Sequence, residues 1–185
     1  MHSNKKVMKK ILVFGASNSK NSINQKLAEY AASLIPDSNN TILDINNFEM
    51  PIYSIDRENK DGIHPLAYKF KKIVKEHDAL IISLAEHNGS YTVAFKNIFD
   101  WISRINDGSL WYDKPVLLLS TSPGARGART ILNMAKITFS MLSKGEIISF
   151  SLPEFDKNFE DGNGIVDELL RNELKLCVKQ FIEII

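Results

Sequence analysis

Five short apolar runs punctuate the chain: Ile11–Phe14, Thr41–Ile45, Ala79–Leu84, Val116–Ser120 and Glu146–Phe150. Most are runs of Ile, Leu and Val without strict alternation. That pattern predicts strands covered on both faces, hence a parallel sheet with helices on either side. The segments between them repeat apolar residues at helical spacing. Ser22–Leu34 puts Ile23, Leu27, Tyr30, Ala31 and Leu34 on one face, and Pro36 ends it. Leu66–Lys75, Thr92–Ile105 and Arg129–Leu142 follow the same rule, and a last helix is expected over about Gly164 to Ile182.

Strand and helix alternate along the whole chain, which predicts an α/β fold. Right-handed crossovers narrow the topology. Five strands fit the flavodoxin-like doubly wound parallel sheet of order 2-1-3-4-5, with helices on both faces, better than a six-stranded dinucleotide fold. The longest irregular stretches, Asn46–His64 and Pro153–Asn163, both follow strands. Residues 1–8 read as a basic tail and 9–185 as a single domain.

Composition narrows the chemistry. The chain has 185 residues, 23 Lys+Arg against 22 Asp+Glu, and one cysteine. Near-neutrality argues against a nucleic-acid binder, which usually shows a basic excess. The lone Cys177 excludes an intrachain disulfide and Cys-based zinc or iron–sulfur sites within one chain. No apolar run approaches the roughly 18–20 residues of a membrane helix, and none of the first residues form a signal-peptide core. A cytoplasmic location and a small-molecule partner are the expectations.

In open α/β sheets ligands bind beyond the carboxyl ends of the strands, at the switch point. The informative loops therefore follow strands one, three and four. The first, Gly15-Ala16-Ser17-Asn18-Ser19-Lys20-Asn21-Ser22-Ile23-Asn24, leads into a helix. Serine hydroxyls, helix amides and the positive end of the helix dipole suit a phosphate monoester. A helix cap alone would need only Asn21 or Ser22. Neither G-x-x-x-x-G-K-[ST] nor G-x-G-x-x-G is present. The third strand runs into Ala85-Glu86-His87-Asn88-Gly89-Ser90, where Asn-Gly signals a tight turn. Glu86 and His87 have the composition of an acid/base pair, or of polar loop decoration. The fourth strand runs into Ser120-Thr121-Ser122-Pro123-Gly124-Ala125-Arg126-Gly127-Ala128-Arg129, a sharp loop that places Arg126 and Arg129 beside the pocket.

Together these loops resemble the NADPH-dependent FMN reductase family, flavodoxin-like flavoenzymes that include quinone, azo-dye and chromate reductases. The family's first loop reads roughly G-S-x-R-x-x-S-x-N; here it is one residue longer, with Ser19 at the arginine position and Lys20 beside it. Its second block, P-E-Y-N-x-S followed by L-K-N-x-x-D-W, is matched by Glu86, Asn88, Ser90, Lys96, Asn97, Asp100 and Trp101. Ala85, His87 and Phe95 depart from it. Its third, S-x-S-P-G-x-x-G-G, is matched by Ser120, Ser122, Pro123, Gly124 and Gly127, with Ala128 last.

The resemblance implies FMN as cofactor and NADPH or NADH as electron donor. It places the FMN phosphate at Ser17, Ser19, Ser22 and Asn24. The ring system falls against Glu86, His87, Asn88, Gly89 and Ser90, closed by Ser122, Pro123, Gly124 and Gly127. Hydride would pass from the nicotinamide through the flavin to a free flavin, quinone, azo compound or similar acceptor, the flavin performing the chemistry. No catalytic side chain is assigned. It further implies a homodimer or homotetramer, with the helix Thr92–Ile105 and Leu110, Trp111 and Tyr112 as contact surfaces and Trp101 and Trp111 as anchors. Two other readings fit parts of the chain. One is a flavodoxin-type electron carrier without pyridine-nucleotide activity. The other is a serine esterase built on Ser17, for which Asp61-Gly62-Ile63-His64 would supply the Asp and His.

Overall fold

A computed structural model describes residues 8–185. The expected tail thus lies outside the described residues, apart from Met8, which is exposed. The elements are β1 (Lys9–Ala16), α1 (Ile23–Ser33), β2 (Ser38–Ile42), a 3-10 turn (Ile45–Phe48), α2 (Ile55–Asp61), α3 (Pro65–Lys75), β3 (Ala79–Leu84), β4 (Glu86–His87), β5 (Ser90–Tyr91) and α4 (Val93–Ser103). They continue with β6 (Val116–Thr121), α5 (Arg129–Leu142), β7 (Ile147–Leu152), α6 (Phe155–Asn158), β8 (Phe159–Glu160), β9 (Gly164–Ile165) and α7 (Glu168–Ile184).

The main sheet has the order β2-β1-β3-β6-β7, and every pair in it is parallel. This is the expected 2-1-3-4-5 order, and it puts the switch point between β1 and β3. Successive residues of the central strands feed opposite faces, as the period of two requires. Leu12, Phe14, Leu80, Ile82 and Leu118 pack under α3, α4 and α5. Ile11, Val13, Ile81, Leu117 and Leu119 pack under α1 and α7. All ten are fully buried. Burial of this kind contributes about 1.5–3 kcal/mol per large side chain before entropy is counted.

The second strand departs from expectation. It runs over Ser38–Ile42 rather than 41–45, and it is mostly exposed. It is an edge strand of mostly polar residues, and the apolar Leu43 and Ile45 that suggested it are buried just beyond it. The irregular stretch after it contains α2, a short polar helix without a single buried residue. Residues 164–165 form a hairpin strand, so the last helix starts at Glu168, capped by Asp167.

Trp101 and Trp111 correct a second expectation. They are 3% and 0% exposed within one subunit, so neither can anchor an interface. Trp101 donates its indole N–H to Pro51 O at 2.8 Å. Trp111 packs on Phe139 with ring centroids 4.9 Å apart. The loop carrying it is held by Lys71, a buried ammonium that donates to Ser109 O at 2.9 Å, pairs with Asp107 at 3.3 Å and lies 4.1 Å above the Tyr112 ring. Burial pushes the Lys71 pKa down, and Asp107 opposes that.

Candidate functional site

The first loop is placed by a close approach. A Cβ on Gly15 would lie 2.5 Å from the Gln25 backbone nitrogen, so only glycine lets α1 sit this near the end of β1. Gln25 Oε1 returns to accept from Gly15 N at 2.7 Å. The loop between them is organised by serines used as acceptors. Ser17 Oγ accepts from Ser19 N at 3.2 Å, Ser19 Oγ from Asn21 N at 3.3 Å, and Ser22 Oγ caps α1 through Gln25 N at 3.1 Å. Each hydroxyl keeps its own proton to donate. The N–H groups of Ile23 and Asn24 open the helix and have no intrahelical carbonyl to meet. Free O–H donors therefore stand with free N–H donors at the positive end of a helix dipole, which suits an anion.

Asn24 has a different task for its side chain. It is 2% exposed; its Oδ1 accepts from Ser83 Oγ at 2.7 Å and Thr121 N at 3.1 Å, and its amide donates to Thr121 O at 3.2 Å. It clamps the carboxyl ends of β3 and β6 together under the first loop. Its backbone N–H is left for a ligand.

The second loop is a two-residue hairpin. Glu86 pairs with Tyr91 and His87 with Ser90, and Asn88 and Gly89 turn the chain at φ 53° and 76°. Two positive φ values are what a type I′ turn demands, and Asn-Gly meets that demand. Glu86 is committed: its Oε2 accepts from Ile131 N at 2.9 Å. Helix α5 begins after Ala128 in the left-handed region with no side-chain cap of its own. Glu86 supplies that cap from the hairpin, favourably placed at the helix's positive end.

The third loop, after β6, is locked from below. Gly127 O accepts from Ser120 Oγ at 2.7 Å and Ser151 Oγ at 2.9 Å, and Gly127 has φ 56° with no room for a Cβ. Ser122 O and Gly124 O accept from Phe155 N and Glu154 N, tying the loop to the segment after β7.

A cleft of about 180 Å³ lies where the three loops meet. Ser17, Ser19, Ser22 and Asn24 line one wall, Glu86 and His87 a second, and Ser122 and Pro123 a third. Asn21 and Thr121 also line it. Thr121 was not singled out from the sequence; the polar end of an otherwise apolar strand was its only signal. Asn88 and Ser90 face a neighbouring cleft of about 440 Å³, which His87 also borders. Gly89 and Gly124 are exposed, Gly127 is buried, and Arg126 and Arg129 are exposed without lining the 180 Å³ cleft. Lys20, beside the missing arginine, forms no ion pair among the described residues, whereas Lys26 pairs with Asp161 at 2.8 Å. Asn97, in the second motif, holds the segment before α2: it accepts from Tyr53 N and donates to Met50 O, both at 2.9 Å.

The esterase reading finds no support in this geometry. Ser17 Oγ bonds within its own loop, and His64 Nδ1 caps α3 by accepting from Leu66 N at 3.2 Å. The ring of His64 lies 6.2 Å from that of Trp101 and borders none of the clefts around Ser17. Cys177 is half-buried, its thiol pushed up by burial, and it bonds Ser149 O on the α7 side. The donor set at the start of α1 fits the phosphate end of FMN, and Glu86, His87, Ser122 and Pro123 line the cleft beside it.

Comparison with known proteins bears on the family and the fold. The model of the family described as NADPH-dependent FMN reductase matches residues 9–151. A 2-hydroxy-1,4-benzoquinone reductase of Burkholderia sp is 32% identical over 178 residues, covering 93% of this chain and 93% of the relative. An NADPH:quinone oxidoreductase of Arabidopsis thaliana is 27% identical, over 68% of this chain and 65% of the relative. Among solved structures, the flavoenzyme NAD(P)H:acceptor oxidoreductase FerB of Paracoccus denitrificans superposes with a TM-score of 0.75 at 24% identity, over 96% of this chain and 97% of that one. That last likeness is one of fold. The chain belongs to the NADPH-dependent FMN reductase family, oxidoreductases that work with FMN and a nicotinamide nucleotide.

Proposed function

We propose that this protein is a cytoplasmic NAD(P)H oxidoreductase whose 9–185 domain holds FMN in the three-loop cleft and delivers electrons to a quinone-type acceptor. The observation that carries the placement is the set of uncommitted donors on Ser17, Ser19 and Ser22 at the start of α1. FMN held there would supply the hydride-transfer chemistry between a nicotinamide nucleotide and an acceptor. The chain's own residues bind and orient. The serine hydroxyls and the Ile23 and Asn24 amides hold the phosphate. The hairpin presents backbone along one edge of the ring system, and the Ser122–Gly127 loop borders the other side. The names of the relatives support a quinone as acceptor. NAD(P)H oxidation that depends on added quinone separates this reading from that of an electron carrier, which would show none. Among the described residues no helix is long and apolar enough to cross a membrane.

Glu86 positions the hairpin. Glu86→Ala should lower Tm by roughly 2–6 °C, the cost of a lost cap and an unsatisfied N–H. It should also weaken FMN about ten-fold by loosening the hairpin. Glu86→Gln keeps an acceptor and should recover most of both. Equal FMN affinity in all three proteins would remove the hairpin from the site.

A homodimer or homotetramer is part of the proposal, and α5 supports it. Met134, Ile137 and Met141 are 36%, 65% and 79% exposed at helical spacing, a stripe that no other described residue covers. Ile137→Asp should shift the mass in light scattering toward the monomer; an unchanged mass would place the interface on another face.

A further inference from the structure

A further cleft, of about 580 Å³, is lined by the first loop, α1 and the end of β2. Ser17, Ser19 and Ser22 line it as well as the 180 Å³ cleft, so the first loop is a wall common to both. Its remaining groups are sorted by chemistry. Lys20 stands on the loop and Lys26 on α1. Lys20 has no ion pair among the described residues, and the partner of Lys26 is the exposed Asp161. Ile42, Asp44 and Asn46 stand at and just beyond the end of β2. Asp44 Oδ1 accepts from Asn46 N at 2.9 Å and from Asn46 Nδ2 at 2.8 Å. Asp44 Oδ2 and Asn46 Oδ1 are left without a partner among the described residues. Ile42 is 49% exposed, an apolar surface on a polar edge strand. Glu29, the other carboxylate on the wall, is engaged by Gln25 Nε2 at 2.8 Å.

We propose that this cleft takes the adenosine monophosphate half of FAD, so that the chain holds the dinucleotide flavin as well as FMN. The inference rests on the proposed placement of the flavin phosphate at the first loop. In FAD that phosphate is the inner member of a diphosphate, and the outer one lies beyond it, across the shared serines. Lys20 and Lys26 supply the cations for it, beside the positive end of α1. The ribose comes next. Asp44 Oδ2 is a free acceptor for its two hydroxyl donors, and an acidic side chain past the end of the second strand is suited to that task in doubly wound sheets. Adenine comes last, with the exposed face of Ile42 to lie on and Asn46 Oδ1 to accept from its amino group. Cations, then a carboxylate, then an apolar face with one acceptor: the wall follows the sequence of groups along a nucleotide. The volume lies within the range of small-molecule sites.

The test is equilibrium dialysis of FAD, and separately of FMN, against the full chain freed of flavin. The wild type should hold FAD at least as tightly as FMN. Ile42→Ser removes an exposed apolar face, and Asp44→Asn keeps the oxygen that accepts from Asn46, so both variants should fold as the wild type does. Each should weaken FAD about five-fold and leave FMN within about two-fold of its wild-type affinity. Normal FMN binding with FAD weaker by more than about ten-fold would overturn the assignment and leave the flavoenzyme reading intact. Unchanged FAD affinity in both variants would overturn it as well. So would a loss confined to NADP+, measured on FMN-loaded protein, which would give the cleft to the nicotinamide nucleotide. A wild type that binds neither flavin would sink the flavoenzyme reading together with this one.

Discussion

Ser22→Asp should fold as the wild type does and lose FMN affinity about a hundred-fold, equivalent to roughly 2.7 kcal/mol. The two halves of this result have separate causes. Ser22 caps α1 by accepting from Gln25 N at 3.1 Å. Aspartate is an equally good cap and is favoured by the helix dipole, so Tm should stay within about 2 °C of wild type. The same carboxylate stands on the wall of the 180 Å³ cleft, where a phosphate would meet it at close range. Like charges in a partly dehydrated site repel by several times what water would allow. Ser22→Ala should behave in the opposite sense: a loss of about 1 kcal/mol in stability from the missing cap and a smaller loss of FMN affinity. Titration of flavin fluorescence with each variant reads the affinity. Wild-type affinity in Ser22→Asp would place the phosphate elsewhere.

Asn24→Ala should produce the largest loss of stability among the site residues, about 2–4 kcal/mol, or roughly 5–15 °C in Tm. Three hydrogen bonds end on this one buried amide, and its removal leaves Ser83 Oγ, Thr121 N and Thr121 O without their partner. Buried donors left unpaired carry the full cost of their desolvation. The carboxyl ends of β3 and β6 would separate, and FMN binding would weaken as a consequence. Excess FMN should restore part of the lost Tm by mass action, because the backbone N–H of residue 24 survives the change. A melt that differs from wild type by less than a degree or so would show that the clamp is replaceable by water.

Most of the fold was legible because its strands are apolar on both faces. Ile11–Phe14, Ala79–Leu84 and Val116–Ser120 each lie inside an observed strand, and the switch point followed from their order. β2 was misplaced by three residues because an edge strand carries no burial pattern, and its apolar signal came from Leu43 and Ile45 in the following turn. α2 escaped because a helix with no buried residue leaves no apolar period. In the site, the Asn88-Gly89 turn and the Ser22 cap were readable from local chemistry alone. The division of labour was not. Glu86 looks like an acid in the sequence and proves to be the cap of a helix that starts 43 residues later. Asn24 reads as a ligand residue, yet its side chain holds two strands that the sequence separates by a whole crossover. Such roles depend on which backbone groups are left unpaired at a distance, and no local pattern encodes that. Trp101 and Trp111 were misread for a related reason: aromatic enrichment does not distinguish an interface from a core.

Binding of FMN by the three loops, and its use to move electrons from NAD(P)H, can be read in one experiment. The most direct measurement is the visible spectrum of the purified protein after incubation with FMN and removal of the excess, with the released flavin identified. A flavin band that bleaches on addition of NAD(P)H and returns on addition of a quinone is the expected result. A protein that stays colourless and does not turn over added FMN would contradict it.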